Sequence, residues 1–238
     1  MASYREHFNT VGEEGLRNAR GELGYLSLAS HILKAIAPPQ GARVLDLGCG
    51  DGRVVAALHQ LRPDLECVGV DFAEKLIAQA QTEQSGKPGL TFHVRDLARD
   101  EVALGAFDCI YSFSVMQYLQ PAQYAALNTR LLPALRPGGR VFHFSIPDVS
   151  KRVLLFMDDY LNQPSRSWAA ATFTLCKVIL VDVKRRLIGD RRYGDSVFHD
   201  AVELAALSAP RFQAEIIRPG DSWYRFDLRL TPTDPGNG

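Results

Sequence analysis

The chain has 238 residues, 46% of them hydrophobic and 23% charged, with 27 lysines and arginines balancing 27 aspartates and glutamates. That length and composition suit one large globular domain or two small ones. The even charge offers no electrostatic attraction toward nucleic acid or an anionic membrane, so neither is an expected partner.

The first twelve residues include Arg5, Glu6 and His7 and lack an apolar run, so no signal peptide is expected. The longest apolar stretch, Trp168 to Val183, is broken by Thr172, Thr174, Lys177 and Asp182 and is too short and polar for a membrane span. Cys49, Cys67, Cys109 and Cys176 are scattered without metal-ligand spacing. They read as buried thiols in a reducing, cytoplasmic compartment, with no metal site.

In chain order, Glu13 to Ala37 has apolar residues at helical spacing and stops at Pro38-Pro39. Strands and helices then alternate. Arg43–Leu47 is a strand, Arg53–Leu61 a helix, Glu66–Asp71 a strand, Ala73–Gln84 a helix and Leu90–Val94 a strand. Phe107–Phe113 is the fourth strand, Pro121–Leu135 a helix and Arg140–Ile146 the fifth strand. Strands separated by helical stretches of ten to fifteen residues imply βαβ units and a parallel sheet.

The rhythm breaks at Pro147. Asp148 to Val197 reads as mostly helical with no convincing strand, and His199 to Leu207 resumes as helix. Phe212–Arg218 and Trp223–Thr231 form two strands joined by Pro219-Gly220-Asp221-Ser222, so the last strand runs antiparallel to its neighbour. The residues after Thr231 are expected to fray. The expected fold is α/β: a doubly wound seven-stranded sheet, mostly parallel with an antiparallel C-terminal hairpin strand, plus a helical insert after the fifth strand. A single domain is expected, with residues 1–40 a helical cap, 41–147 and 198–231 a Rossmann-like core, and 148–197 a lid.

The strongest local signal is the run from Asp46 to Gly52, with Gly48, Gly50 and Gly52 at alternate positions between a buried strand and a helix. Glycines there let the backbone turn and approach a ligand, with helix N–H groups facing it. Asp71 ends the second strand, where a carboxylate accepts ribose hydroxyls. Asp96 follows the third, where it can take an adenine amino group. The competing reading is a nicotinamide-binding domain, whose fingerprint is GxGxxG rather than this GxGxG. A pyrophosphate would also meet repulsion from Asp46 and Asp51. S-adenosylmethionine has no phosphate and carries cationic groups, so the acid-rich turn favours it.

These residues resemble the first motif of class I methyltransferases. Asp71 matches that family's ribose-binding acid, Arg95-Asp96-Leu97 its adenine-side motif, Phe107 to Ser112 its fourth-strand motif, and Leu135 to Gly139 the turn before its fifth strand. The resemblance implies an S-adenosyl-L-methionine cofactor bound by Asp46, Gly48, Cys49, Gly50, Gly52, Asp71, Phe72, Asp96 and Leu97. It further implies that Ser112, Phe113 and Gln117 border the methionine half. The segment Ser112-Phe113-Ser114-Val115 departs from the Pro-Pro-Tyr type motif of nucleic-acid and glutamine amide N-methyltransferases. Cys109 lies within its strand rather than where RNA cytosine-C5 enzymes keep their nucleophile. No acidic pair of the catechol type is visible near the strand end. Ser114 to Leu119 instead resembles the loop and helix of small-molecule methyltransferases.

Such an enzyme works mostly by placement, because the sulfonium methyl is already activated. A hydroxyl acceptor gains from a general base. His199, His143 and Tyr118 are the candidate catalytic residues. His199 is expected to open a helix at the mouth of the site, or else to be a surface residue, and Asp200 beside it to cap that helix. His143 lies among Val141, Phe142 and Phe144, where a satisfied core histidine is the plainer reading. Tyr118 either meets the substrate, lies over the sulfonium as a cation–π partner, or packs a helix.

The segment 148–197 holds nine basic and six acidic residues, with Lys184-Arg185-Arg186 and Arg191-Arg192 as dense basic clusters. It reads either as a solvated helix face or as a lid contacting an anionic acceptor. Its apolar residues offer a surface for the domain, for lipid or for a second subunit in a homodimer. The expected function is methyl transfer to a small-molecule acceptor, first a hydroxyl of a sugar or glycoconjugate. The alternatives are a natural-product or quinone-type C- or O-methyltransferase, and a catalytically silent cofactor-binding partner subunit.

Overall fold

The computed structural model describes residues 22–151, 180, 183–184, 188, 190–193, 196–209, 211–218 and 224–233. The start of the N-terminal helix read from Glu13, most of the expected lid with Arg185 and Arg186, Cys176, the turn 219–223 and the final residues lie outside them. So does the surface offered for a homodimer.

Helix α1 (Glu22–Ile36) is followed by β1 (Arg43–Leu47), α2 (Arg53–Leu61), β2 (Glu66–Asp71), α3 (Glu74–Glu83), β3 (Leu90–Val94) and β4 (Phe107–Phe113). A 3-10 turn (Met116–Tyr118) leads to α4 (Pro121–Leu131), a second turn (Leu132–Ala134) and the long strand β5 (Leu135–Pro147). After the segment that follows come β6 (Arg192–Tyr193), β7 (Ser196–Val197), α5 (Ala201–Ser208), β8 (Phe212–Ile217) and β9 (Arg225–Pro232).

Seven strands form one sheet in the order β3-β2-β1-β4-β5-β9-β8. The first five run parallel, and β9 pairs antiparallel with both β5 and β8. The expected seven-stranded mixed sheet is therefore present. Both of its faces are covered, which is why β1 and β2 are almost continuously apolar. One core joins the sheet to α4 and α5 through Tyr124, Leu127, Leu204 and Phe226. The other joins it to α1, α2 and α3 through Ile32, Leu58, Ile77 and Tyr111.

Several boundaries move by one or two residues from the sequence reading, and three differences are larger. The strand read as Arg140–Ile146 begins at Leu135, which pairs with Phe107 across an irregularity in β4. The helix read to Leu135 ends at Leu131 for the same reason, Pro133 closing it in a 3-10 turn. The insert, expected to lack strands, contains the two-residue pairing of β6 with β7. Strands that short show no hydrophobic period. No described helix is long and apolar enough to cross a membrane.

Candidate functional site

The order of the sheet reverses between β1 and β4, and a crevice opens there at the carboxyl ends of the strands, as in other open α/β sheets. A cavity of about 330 Å³ occupies this position. That lies at the small end of the range for ligand sites.

The loop after β1 forms its floor. Gly48 and Gly50 have φ of 81° and 56°, a left-handed conformation that other residues rarely adopt. A side chain at Gly48 would stand 2.5 Å from Val115 Cγ2, whereas nothing lies within 4 Å of one at Gly50. The loop therefore packs tightly on one side and is open on the other, a cradle that a ligand can enter.

Asp71, at the end of β2, stitches the loop to the next turn. Its Oδ2 accepts from Gly50 N at 3.0 Å and its Oδ1 from Ala73 N at 2.9 Å. Each oxygen keeps a further lone pair for a ligand hydroxyl. Asp96 Oδ1 accepts from Ala98 N at 3.0 Å, which fixes the carboxylate at the far rim. Asp46 lies beneath the loop, only 4% exposed, and accepts a hydrogen bond from Tyr111 Oη at 2.9 Å. Burial raises its pKa to about 7, against that hydrogen bond and with a further rise from the Asp71 charge. Burial also raises Asp71 and Asp51, although backbone N–H groups pull both back.

The walls are Tyr25, Val54, Leu76, Leu97, Phe113, Val115, Tyr118 and Leu119, mostly apolar or aromatic. Among the described lining residues, Asp51, Asp71 and Asp96 are the charged ones, and none is Lys, Arg or His. Such a lining repels phosphate and attracts a cation.

Most of the expected cofactor residues meet here. Gly48, Cys49, Gly50, Asp71, Phe72, Asp96, Leu97, Phe113 and Gln117 line the cavity, as does Tyr118. Asp46, Gly52 and Ser112 do not. Asp46 lies beneath the loop, held by Tyr111. Gly52 sits at the start of α2 against the Phe92 ring. Ser112 points to the opposite face of the sheet, where its Oγ shares a 2.9 Å hydrogen bond with His143 Nδ1.

The two candidate histidines are likewise away from the cavity. His143 is fully buried, edge-on to Tyr124, and burial depresses its pKa to about 3. His199 was expected at the mouth but is completely buried. Its Nε2–H donates to the Met116 carbonyl at 2.9 Å, and its own N–H donates to Pro147 O. Burial lowers its pKa, with the Met116 bond working the other way. It pins the end of the insert to the turn that carries Gln117 and Tyr118. Asp200 caps α5 as expected, accepting from Val202 N and Glu203 N. Arg191, one of the basic residues considered for an anionic acceptor, is paired with Glu203.

The sequence reading missed Tyr25, Val54, Leu76 and Val115. Tyr25 comes from α1, and helical spacing shows that α1 has a buried face without showing what it touches. Val115 lies in the segment after the fourth strand that the sequence reading compared with small-molecule methyltransferases without giving it a role, and its packing on Gly48 is a tertiary contact.

A methyltransferase-domain family model matches residues 44–139. The chain is 37% identical over 102 residues to a malonyl-[acyl-carrier protein] O-methyltransferase of Bacillus cereus, covering 43% of this chain and 37% of that protein. It is 26% identical over 209 residues to a trans-aconitate 2-methyltransferase of Acidovorax, covering 86% and 68%. The chain thus spans little more than a third of the first relative and about two thirds of the second. The magnesium protoporphyrin IX methyltransferase of Synechocystis, with bound S-adenosylhomocysteine, superposes with a TM-score of 0.61 at 17% identity, over 97% of this chain and 98% of that one. The pyocyanin biosynthetic protein PhzM gives 0.64 at 16%, over 98% and 62%. These two likenesses show the fold. Residues 44–139 thus match the methyltransferase-domain family, and the fold around them is the one these two structures share.

Proposed function

We propose that the protein transfers the methyl group of S-adenosylmethionine to an oxygen of a small acceptor, and that this oxygen belongs to a carboxylate. The observation that carries the cofactor half is the lining itself: three aspartates and no cationic side chain among the described residues. In this reading Asp71 holds the ribose and Asp96 the adenine. The partly strained charges of Asp46, Asp51 and Asp71 favour a ligand bearing positive charge. S-adenosylmethionine supplies a methyl group already activated on a sulfonium.

What remains for the chain is to orient the acceptor and exclude water. Phe113, Gln117 and Tyr118 line the cavity from β4 and the turn after it, on the other side of β1 from the strands that lead to Asp71 and Asp96. A sugar hydroxyl, the acceptor first expected, needs a base to take its proton. The two histidines considered for that task are buried elsewhere, and Tyr118 is the remaining candidate. A carboxylate is already ionised at neutral pH and needs no base. The names of the two curated relatives agree with this preference, since malonyl and aconitate groups both carry carboxylates.

The test is turnover. The purified chain is incubated with S-adenosylmethionine and a panel of di- and tricarboxylic acids beside a panel of sugars and phenols, and S-adenosylhomocysteine is measured. Product with acids alone supports the reading. Product with sugars or phenols alone would replace it, and Tyr118→Phe would then be expected to abolish the rate.

A further inference from the structure

Beyond the cavity wall, where β5 ends and β9 begins, stands a cation with no role in the site described above. Arg225 is the first residue of β9 and pairs with Pro147, the last residue of β5. Its Nη1 donates to Ser145 O at 2.7 Å and lies 3.5 Å from Gln117 Oε1. Gln117 is itself in the cavity wall, its Nε2 donating to Ser114 O at 2.9 Å. The guanidinium therefore sits one side chain behind the cavity wall, at Gln117.

The backbone around it is built at a cost. Ser145 has φ of 62° without being glycine, and the β5–β9 register shifts between His143 and Ile146. Bulges and left-handed non-glycine residues of this kind concentrate at functional sites. Here the bulge is held from both sides. Asp227 Oδ1 accepts the Ser145 N–H at 2.7 Å, and Arg225 takes the Ser145 carbonyl. Ser114, across the sheet at the end of β4, also has a positive φ of 56° and lines the cavity.

The charge pattern is equally particular. Arg43, Arg53, Arg136, Arg191, Arg218 and Arg229 each pair with a carboxylate. Arg225, like Arg95, Arg130 and Arg140, has no ion pair among the described residues, and of these four it is the one that reaches a side chain of the cavity wall; its contacts are a carbonyl, the Gln117 amide oxygen at the limit of hydrogen bonding, and the Tyr224 ring. A guanidinium has five donors in a fixed fork suited to a carboxylate. The long contact to Gln117 is the one an incoming anion can most readily displace.

We propose that Arg225 is the acceptor's anchor. It pairs with an acidic group of the acceptor other than the one methylated, and so selects dicarboxylic and tricarboxylic acids. This rests on the carboxylate reading given above. Pairing with the reacting carboxylate instead would draw charge from the nucleophile, so the anchor serves a second acid.

Trans-aconitate is a suitable probe because it carries three carboxylates. It is titrated calorimetrically into the full chain saturated with S-adenosylhomocysteine, and methyl transfer to it is measured in parallel. Arg225→Met should weaken trans-aconitate binding and raise its KM about ten- to a hundredfold, as expected for losing charge-assisted hydrogen bonds. Arg225→Lys, which keeps the charge and loses the fork, should fall between. The affinity for S-adenosylhomocysteine, measured separately on each variant, should stay within about twofold and reports that the variant is folded. If both variants bind trans-aconitate as the parent does, the anchor is refuted while the carboxylate reading stands. If the parent binds S-adenosylhomocysteine yet neither binds nor methylates any polycarboxylate of the panel, the carboxylate reading and the anchor fall together.

Discussion

Asp46 sits under a loop meant for a ligand, and its position has a measurable consequence. Its pKa is raised from 3.8 to about 7, chiefly by burial. A carboxyl raised on folding contributes stability that is present below pH 3.8 and is lost as pH rises through 7. With the ligand-free protein, Asp46→Asn should therefore gain thermal stability relative to the parent when both are measured at pH 8, and little at pH 4. The gain has a ceiling of about 4 kcal/mol. Cationic cofactor favours the ionised form, so its affinity for the parent should rise between pH 6 and 8 and be flatter in Asp46→Asn. Calorimetry at three pH values checks both slopes; a flat profile in the parent would mean that Asp46 does not sense the ligand. This role is an example of what the sequence showed only halfway. The acid's presence beside the glycines was legible, but whether it lined the cavity or lay beneath it depended on Tyr111, a residue 65 positions away.

At the scale of elements, the glycine loop and the turn after β4 are interlocked. Gly48→Ala places a methyl 2.5 Å from Val115 at a φ of 81°. About 1–3 kcal/mol of stability should be lost from the strain alone, with loss of cofactor binding beyond that. Gly50→Ala meets no neighbour but still carries the strain of a φ of 56°, about 1–2 kcal/mol, so it should lose less stability than Gly48→Ala, yet still impair binding. Chemical unfolding paired with titration separates the two; equal effects at both positions would show that the loop is not packed as described.

The same elements explain what was readable. The first four strands appear with the bounds their apolar runs gave, because two covered faces demand continuous burial. Leu135 to Gly139 was read as a turn because Pro137, Gly138 and Gly139 signal one, yet Leu135 still pairs with Phe107. His199 was placed correctly beside a helix start, but which way its ring pointed was a matter of tertiary contact with Met116.

Across the whole molecule the charges are divided between two sides of the cavity. Asp46, Asp51 and Asp71 gather on the β1–β2 side of the cavity, and Arg225 lies behind Gln117 on the β5 side, where we propose that it anchors the acceptor. The interior also withholds protons. His143, with its pKa lowered from 6.5 to about 3, stays neutral in the fold while the unfolded chain takes up a proton below pH 6.5. Its contribution is full above 6.5 and is lost as pH falls toward 3, at about 1.4 kcal/mol per pH unit. Replacing it with Gln, which can still bond Ser112, should flatten the acid limb of the stability curve; an unchanged limb would assign acid unfolding to other groups.

Calorimetric titration of the chain with S-adenosylmethionine and, separately, with NAD at neutral pH bears most directly on the acid-lined cavity. We expect one-site binding of S-adenosylmethionine, weakened by about 1.5–3 kcal/mol in Asp71→Ala through lost hydrogen bonds, and no heat from NAD. Tight binding of NAD with no response to S-adenosylmethionine would mean that the cavity is not the cofactor site described.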